Sequence, residues 1–159
     1  MDTLYIETSI VNYATAWPSK NLQTAAIQEQ ARNWWGIERP KFELVTSQLT
    51  LDEAASGDPV AAKERLKLLD GVPIMPISQE AEILADRILA GHMMPQKAAA
   101  DALHVALAAL ARVDYLLTLN CKHIANAHEL PRVYRLLASE GLSGLLICTP
   151  AEFLGGLIQ

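Results

Sequence analysis

The sequence predicts an α/β protein with a central parallel sheet covered by helices on both faces. Three observations predict it. Short β-favouring apolar runs alternate with helical stretches along the whole chain, the pattern of a parallel sheet wound with helices. The chain has 159 residues and is 51% hydrophobic with 19% charged residues, which suits one domain with an ample core. One helical stretch, 95–112, is apolar on nearly every side, and such a helix is normally buried.

The elements follow in order. Leu4-Tyr5-Ile6 is a buried-strand run ending at Glu7-Thr8-Ser9, a turn into a short helix over 10–14. Trp17-Pro18-Ser19 is loop. Residues 21–36 are helical, with Ala25, Ile27, Ala31, Trp34 and Trp35 as apolar surface and Gly36 and Pro40 as stops. Residues 42–46 form the second strand, and Ser47 caps a helix carrying Leu49, Leu51, Asp52 and Glu53. Gly57-Asp58-Pro59 breaks the chain and restarts it as a helix to Leu69, with Asp58 as cap and Pro59 in the first turn. The run 72–77 is a short strand whose prolines place it at an edge or a strand end. Ser78 caps a helix over 79–90 that Gly91 ends. Residues 115–119 are the fourth strand, 128–139 a helix stopped by Gly141, and 145–148 the last strand. Thr149-Pro150-Ala151-Glu152 then combines a cap, a first-turn proline and a capping-box glutamate.

The stretch 95–112 organises the rest. Pro95 suits a first helical position, and alanine and leucine, the best helix formers, dominate the remaining positions of the stretch. At ~1.5 Å per residue the helix spans about 27 Å. Only Asp101 and His104 interrupt the apolar surface between 98 and 111. Asp101 therefore lies in or beside the core, where an unpartnered carboxylate is costly. Something positive must face it: Lys97, one turn earlier on the same face, His104 as a hydrogen-bond donor, or a metal ion.

Net charge is −5, so the surface as a whole does not advertise nucleic acid, although a local basic patch and a metal would serve a nucleic-acid enzyme. Two cysteines, Cys121 and Cys148, are too few for a disulfide framework and fit a reducing, cytoplasmic setting. Met1-Asp2-Thr3 is not the start of a signal peptide, and no uninterrupted apolar stretch reaches membrane-span length. No Gly-x-Gly-x-x-Gly or P-loop follows any strand, which argues against a nucleotide-binding or small-molecule phosphohydrolase domain.

In parallel sheets, ligands bind beyond the C-terminal ends of the strands. Glu7 follows the first strand, Glu53 lies one helical stretch after the second, and Asn120 follows the fourth. Asp101 lies near the start of a helix running antiparallel to the strands, so its end of that helix is the same end of the sheet. Glu7, Glu53, Asp101 and Asn120 can thus meet in one crevice. Their hard oxygen ligands suit Mg2+ or Mn2+ rather than zinc. Two carboxylates about 4 Å apart repel by roughly 4 kcal/mol at an effective dielectric near 20, so three would shift a pKa sharply or hold a divalent ion. In the plainer reading Glu7 caps a helix, Glu53 is a surface acid and Asn120 is a turn residue, and spacing alone does not choose between the two.

Four segments carry a resemblance: Tyr-Ile-Glu-Thr-Ser-Ile (5–10), Thr-Ser-Gln-Leu-Thr-Leu-Asp-Glu (46–53) with Gly-Asp-Pro (57–59), Asp-Ala-Leu-His-Val-Ala-Leu-Ala (101–108) and Leu-Leu-Thr-Leu-Asn-Cys-Lys-His-Ile-Ala-Asn (116–126). In this order and spacing the chain resembles the PIN-domain nucleases over nearly its whole length, through to Thr-Pro-Ala-Glu (149–152). The resemblance implies one three-layer α/β/α PIN-like domain over 1–159 and a metal-dependent acidic site for cleaving RNA. It makes Glu7, Glu53 and Asp101 the metal ligands, with Mg2+ or Mn2+ as cofactor, and puts Asn120 where many members carry a fourth acid. Many small members are VapC-type toxins of toxin–antitoxin pairs, so it also implies a cognate antitoxin partner and a homodimer. Two departures stand out: Glu7 is one methylene longer than the usual aspartate, and Asn120 is neutral, which weakens the case for a second metal.

Several residues lie near this expected cleft. Thr8, Ser9 and Thr118 are candidates for holding the site or the phosphate, and Lys122 and His123 for touching RNA phosphates. Cys121, His123 and His128 fit no common zinc spacing. Trp17, Trp34 and Trp35 are candidate base-stacking residues, although adjacent tryptophans on a helix more often pack in a core or an interface. Lys63, Arg65 and Lys67 form a basic strip that reads as a solvent face.

Overall fold

The first strand becomes the middle of the sheet. In the computed structural model, which describes residues 1–91 and 94–155, five strands, β1 (Asp2–Ile6), β2 (Phe42–Ser47), β3 (Ile74–Met75), β4 (Tyr115–Leu117) and β5 (Leu146–Cys148), lie side by side in the order β3-β2-β1-β4-β5. Every pairing is parallel. Tyr5 stands opposite Val45 on one side and Leu116 on the other.

Side chains alternate across a strand, so β1 feeds both faces. Leu4 and Ile6 join a core with Ile10, Val11, Trp34, Ala54, Leu69 and Leu154. Here lie helices α1 (Thr8–Thr15), α2 (Leu22–Asn33), α3 (Gln48–Ala54), α4 (Pro59–Leu68) and α8 (Pro150–Leu154). Tyr5 points the other way, into a core built from α5 (Gln79–Ala90), α6 (Ala99–Leu110) and α7 (Leu130–Ser139). This is the expected three-layer α/β/α arrangement.

Local chemistry sets the element ends. Asn21, Ser47, Asp58 and Ser78 each accept the N–H three residues on, and Thr149 and Glu152 form a reciprocal capping box. The helix expected over 10–14 starts at Thr8, because Glu7 caps it through Ser9 N–H. The helix expected over 95–112 is shorter. Pro95 has ψ 156 and is extended, a 3₁₀ turn (Gln96–Ala98) follows, and α6 starts only at Ala99. Proline fixes φ and leaves ψ free, so it permits a helix start without forcing one. At the other end Arg112 turns left-handed, with φ 54, which stops the helix early. The helix expected over 128–139 starts at Leu130, because Asn126 first folds a turn by accepting His128 N–H. Gly36 does not end the helix expected over 21–36: α2 passes into a π-helical turn, Trp34–Glu38, that contains it.

That turn swings Trp34 into the core, fully buried against Phe42, with ring centroids 6.0 Å apart, and against Phe153. Trp34 is thus unavailable to stack a base, whereas Trp17 is exposed. The basic strip is not all solvent face either: Arg65 donates to the carbonyls of Ala54 and Ser56, tying α4 to the end of α3, while Lys63 and Lys67 are exposed. No described helix is long and apolar enough to cross a membrane.

Trp34→Ala would leave a large cavity among rings that cannot close over it. Unfolding by urea should show a loss of about 3–5 kcal/mol, with little change in the far-ultraviolet circular dichroism of the folded protein; a loss below about 1 kcal/mol would contradict this packing.

Candidate metal centre

Glu7 is placed by two elements at once. It follows the last residue of β1, and its backbone N–H donates to Leu117 O of β4, so it stays in the plane of the sheet. Its side chain caps α1, Oε2 accepting Ser9 N–H at 3.1 Å. The other oxygen, Oε1, accepts the hydroxyls of Ser9 and of Thr118, the latter at 2.6 Å. Ser9 is held in turn by Leu119 N–H at 2.8 Å. The carboxylate is 5% exposed, and the positive end of α1 favours its charge. The capping role in the plainer reading and the convergent site are therefore compatible: the same carboxylate does both.

Glu53 arrives from the last turn of α3. Its Oε1 accepts the Thr8 hydroxyl at 2.6 Å and lies 2.6 Å from His104 Nε2. His104, one turn into α6, is fully buried. Its Nδ1 lies 2.8 Å from the Tyr5 hydroxyl, which is 2.6 Å from Ser47 Oγ. One potential ligand atom each from Glu7, Glu53 and His104 lies within 4.8 Å of the other two.

The other expected residues take different places. Asp101 stands in the first turn of α6, three residues before His104 and thus on the same helix face. It lies outside the group of mutually close donor atoms. It is half-buried rather than buried, so water reaches it, and among the described residues it makes no ion pair with Lys97 or His104. His104 is not its partner because both ring nitrogens are engaged with Tyr5 and Glu53. Asn120 donates its N–H to Thr118 Oγ1 and spends its side-chain oxygen on His123 N–H, so it folds the turn after β4. Thr8, Ser9 and Thr118 bind the two carboxylates. Lys122 is exposed and His123 half-buried in the same turn. Cys121, His123 and His128 form no metal-capable group among the described residues.

Sequence reasoning missed Tyr5, Ser47 and the full part of His104. His104 was legible only as a neighbour of Asp101. Its distant partners come from β1 and α3, and no local spacing records those contacts. The usable signal was a histidine on the sheet-facing side of an apolar helix, near the end where the acids gather.

Electrostatics fit a cation. Among the described residues no lysine or arginine lies within ion-pair distance of Glu7 or Glu53; the one ion-pair partner is His104. Burial raises the pKa of Glu53, but the His104 hydrogen bond and charge and the Thr8 hydroxyl outweigh it, so the carboxyl is held below its ordinary value. Burial pushes the Tyr5 phenol well above its usual range, against the hydrogen bonds from Ser47 and Thr50. Tyr5 therefore stays a neutral hydroxyl. Glu53 Oε2 has no hydrogen-bond partner among the described residues, and the two carboxylates beside the imidazole form a group that could hold a metal ion. A cavity of about 630 Å3 between α1 and α4, lined by Trp17, Val60 and Arg65, includes none of the three donor residues.

Residues 4–136 match the PIN domain family. No curated protein sequence matches the chain. Among solved structures it is similar to VapBC2 from Rickettsia felis, determined bound to a DNA fragment from their promoter. That match has 15% identity and a TM-score of 0.57, and covers 92% of this chain and 98% of the other. It is also similar to VapC20 of Mycobacterium tuberculosis, described as a Sarcin-Ricin loop cleaving toxin, with 16% identity, a TM-score of 0.59, and coverage of 78% and 95%. At these identities the likeness is one of fold.

The lowered Glu53 pKa has a signed consequence. In the unfolded chain this carboxyl protonates first, at its ordinary value of about 4.3. Its folded-state bonds therefore stabilise the protein above that pH and are lost as pH falls through the lower folded value. In chelator, the stability difference between wild type and Glu53→Gln should be largest near neutrality and shrink as pH drops below about 4. Urea titrations between pH 3 and 7 would measure it, and a pH-independent difference would refute the attribution.

Proposed function

This chain belongs to the PIN domain family, and from that premise we propose that it is a metal-dependent endoribonuclease that hydrolyses RNA phosphodiester bonds. One observation carries the reading: Glu7 and Glu53 converge with His104 at the C-terminal edge of the sheet, with no lysine or arginine among the described residues to neutralise them. Glu7 and Glu53 would hold Mg2+ or Mn2+ through carboxylate oxygens, and Asp101 completes the ligand set from the first turn of α6. When bound, the ion supplies charge neutralisation at the scissile phosphate and lowers the pKa of water there.

The chain's own residues do the rest. Thr118 and Ser9 fix Glu7, and Thr8 fixes Glu53, so neither carboxylate must reorganise when substrate arrives. Lys122 and His123, in the turn after β4, offer donors to the phosphodiester backbone. In this reading the 159 residues act as one domain: the cytoplasmic toxin of a toxin–antitoxin pair, homodimeric and silenced by a cognate antitoxin. The support is the family together with two likenesses of fold, to VapBC2 and to VapC20, a Sarcin-Ricin loop cleaving toxin.

Asn120 favours a second reading. It adds no charge, and its side-chain oxygen is occupied by His123 N–H, so this chain is also a candidate for a domain that binds RNA or a protein without cutting. Incubating the purified protein with defined RNAs, in Mg2+, Mn2+ or chelator, separates the two: cleavage only with metal supports the nuclease, and binding without cleavage supports the alternative.

Glu7→Gln, Glu53→Gln and Asp101→Asn should each lower metal-dependent cleavage by at least about 100-fold, the upper range for losing a residue merely behind a metal ligand. Each should keep the wild-type circular dichroism spectrum. Undiminished cleavage by the Glu7 and Asp101 variants would end the assignment.

A further inference from the structure

Glu53 is held asymmetrically. Its Oε1 receives the Thr8 hydroxyl and faces His104 Nε2, each at 2.6 Å. Its Oε2 receives no hydrogen bond from any described residue. A carboxylate only accepts, so Nε2 must carry the proton. The other ring nitrogen, Nδ1, lies 2.8 Å from the Tyr5 hydroxyl, which can donate or accept there. The same hydroxyl is hydrogen-bonded to Ser47 Oγ at 2.6 Å. A hydrogen-bonded line thus runs from Ser47 through Tyr5 and His104 to Glu53 and joins β2, β1, α6 and α3. Its three inner members, Ser47, Tyr5 and His104, are all fully buried.

Such a line is no more favourable to bury than apolar residues of the same shape, but when its members are satisfied it rigidifies what it holds. Here it fixes the rotation of one carboxylate. We propose that His104 is a positioning residue for the metal: it ties back Glu53 Oε1 so that Oε2 is presented to the ion, and Tyr5 locks the imidazole in that orientation. This rests on the metal-dependent reading above. The alternative, with His104 itself a ligand, would require Nε2 to give up its 2.6 Å bond to Glu53 and leave that carboxylate with one donor. A hydrogen bond that fixes a ligating carboxylate affects affinity without touching the ion.

Mn2+ binding to the full chain, measured by titration calorimetry, tests the proposal without relying on cleavage. His104→Leu should weaken Mn2+ binding about 10–100-fold, the usual cost of losing a partner behind a ligand. His104→Gln places an amide N–H near the Nε2 position and should recover most of that loss. Tyr5→Phe keeps the ring, removes only the hydroxyl, and should weaken binding by a smaller factor; it carries the test if His104→Leu does not fold. Wild-type affinity in both His104→Leu and Tyr5→Phe would overturn the proposal, as would pulsed electron paramagnetic resonance showing an imidazole nitrogen directly coordinated to Mn2+ in the wild type. Failure of the wild type to bind Mn2+, or unchanged binding in Glu53→Gln, would instead overturn the metal reading on which the proposal stands.

Discussion

The constraint on which this molecule depends is the confinement of two like charges. Glu7 is buried, Glu53 is half-buried, and ligand atoms of the two lie within 4.8 Å. At that spacing in a partly dry site their repulsion is several kcal/mol. The fold answers with hydroxyls, a backbone N–H, a helix N-terminus and one imidazole, and with no lysine or arginine ion pair among the described residues. Hydrogen-bond donors stabilise a carboxylate where it stands; they do not cancel its field as a guanidinium at contact would. Negative charge is therefore left unmatched by any lysine or arginine ion pair among the described residues at this end of the sheet.

Much of the fold was legible because its determinants are local. The strand runs at Leu4-Tyr5-Ile6 and Phe42 to Thr46, and the caps at Asn21, Ser47, Asp58, Ser78 and Thr149, act through residues at most a few positions apart. The errors came at ends decided by other interactions. Pro95 leaves ψ undetermined, Arg112 turns left-handed without a glycine to announce it, and the π turn at Trp34 is set by an aromatic cluster with Phe42 and Phe153 from distant parts of the chain.

The site was legible in outline. The rule that ligands gather beyond the C-terminal ends of parallel strands brought Glu7 and Glu53 to one place, and the structure sets them there. That rule gives location and not orientation. Thr8, Ser9 and Thr118 could hold either the site or a phosphate, and in the structure their hydroxyls donate to the two carboxylates. Asn120 could stand at the place of a fourth acid or serve as a turn residue, and its oxygen folds the turn that carries Lys122 and His123. Side-chain direction at the end of a strand depends on which neighbouring donor is nearest in three dimensions, information that spacing along the chain does not hold.

The long apolar helix explains why the centre can be built from such distant parts. Because α6 buries Ala102, Val105, Ala106 and Ala109 on the sheet and on α5, its rotation about its own axis is fixed by packing. Residues at 101 and 104 share the face one turn apart, so the same packing that aims His104 at Tyr5 and Glu53 leaves Asp101 half-buried nearer the helix start. A carboxylate there avoids the desolvation cost borne by Glu7 and makes no ion pair among the described residues. The difference lies in partners more than in depth: Glu7 and Glu53 are each held by hydroxyl donors, whereas Asp101, half-buried like Glu53, makes no such bond among the described residues.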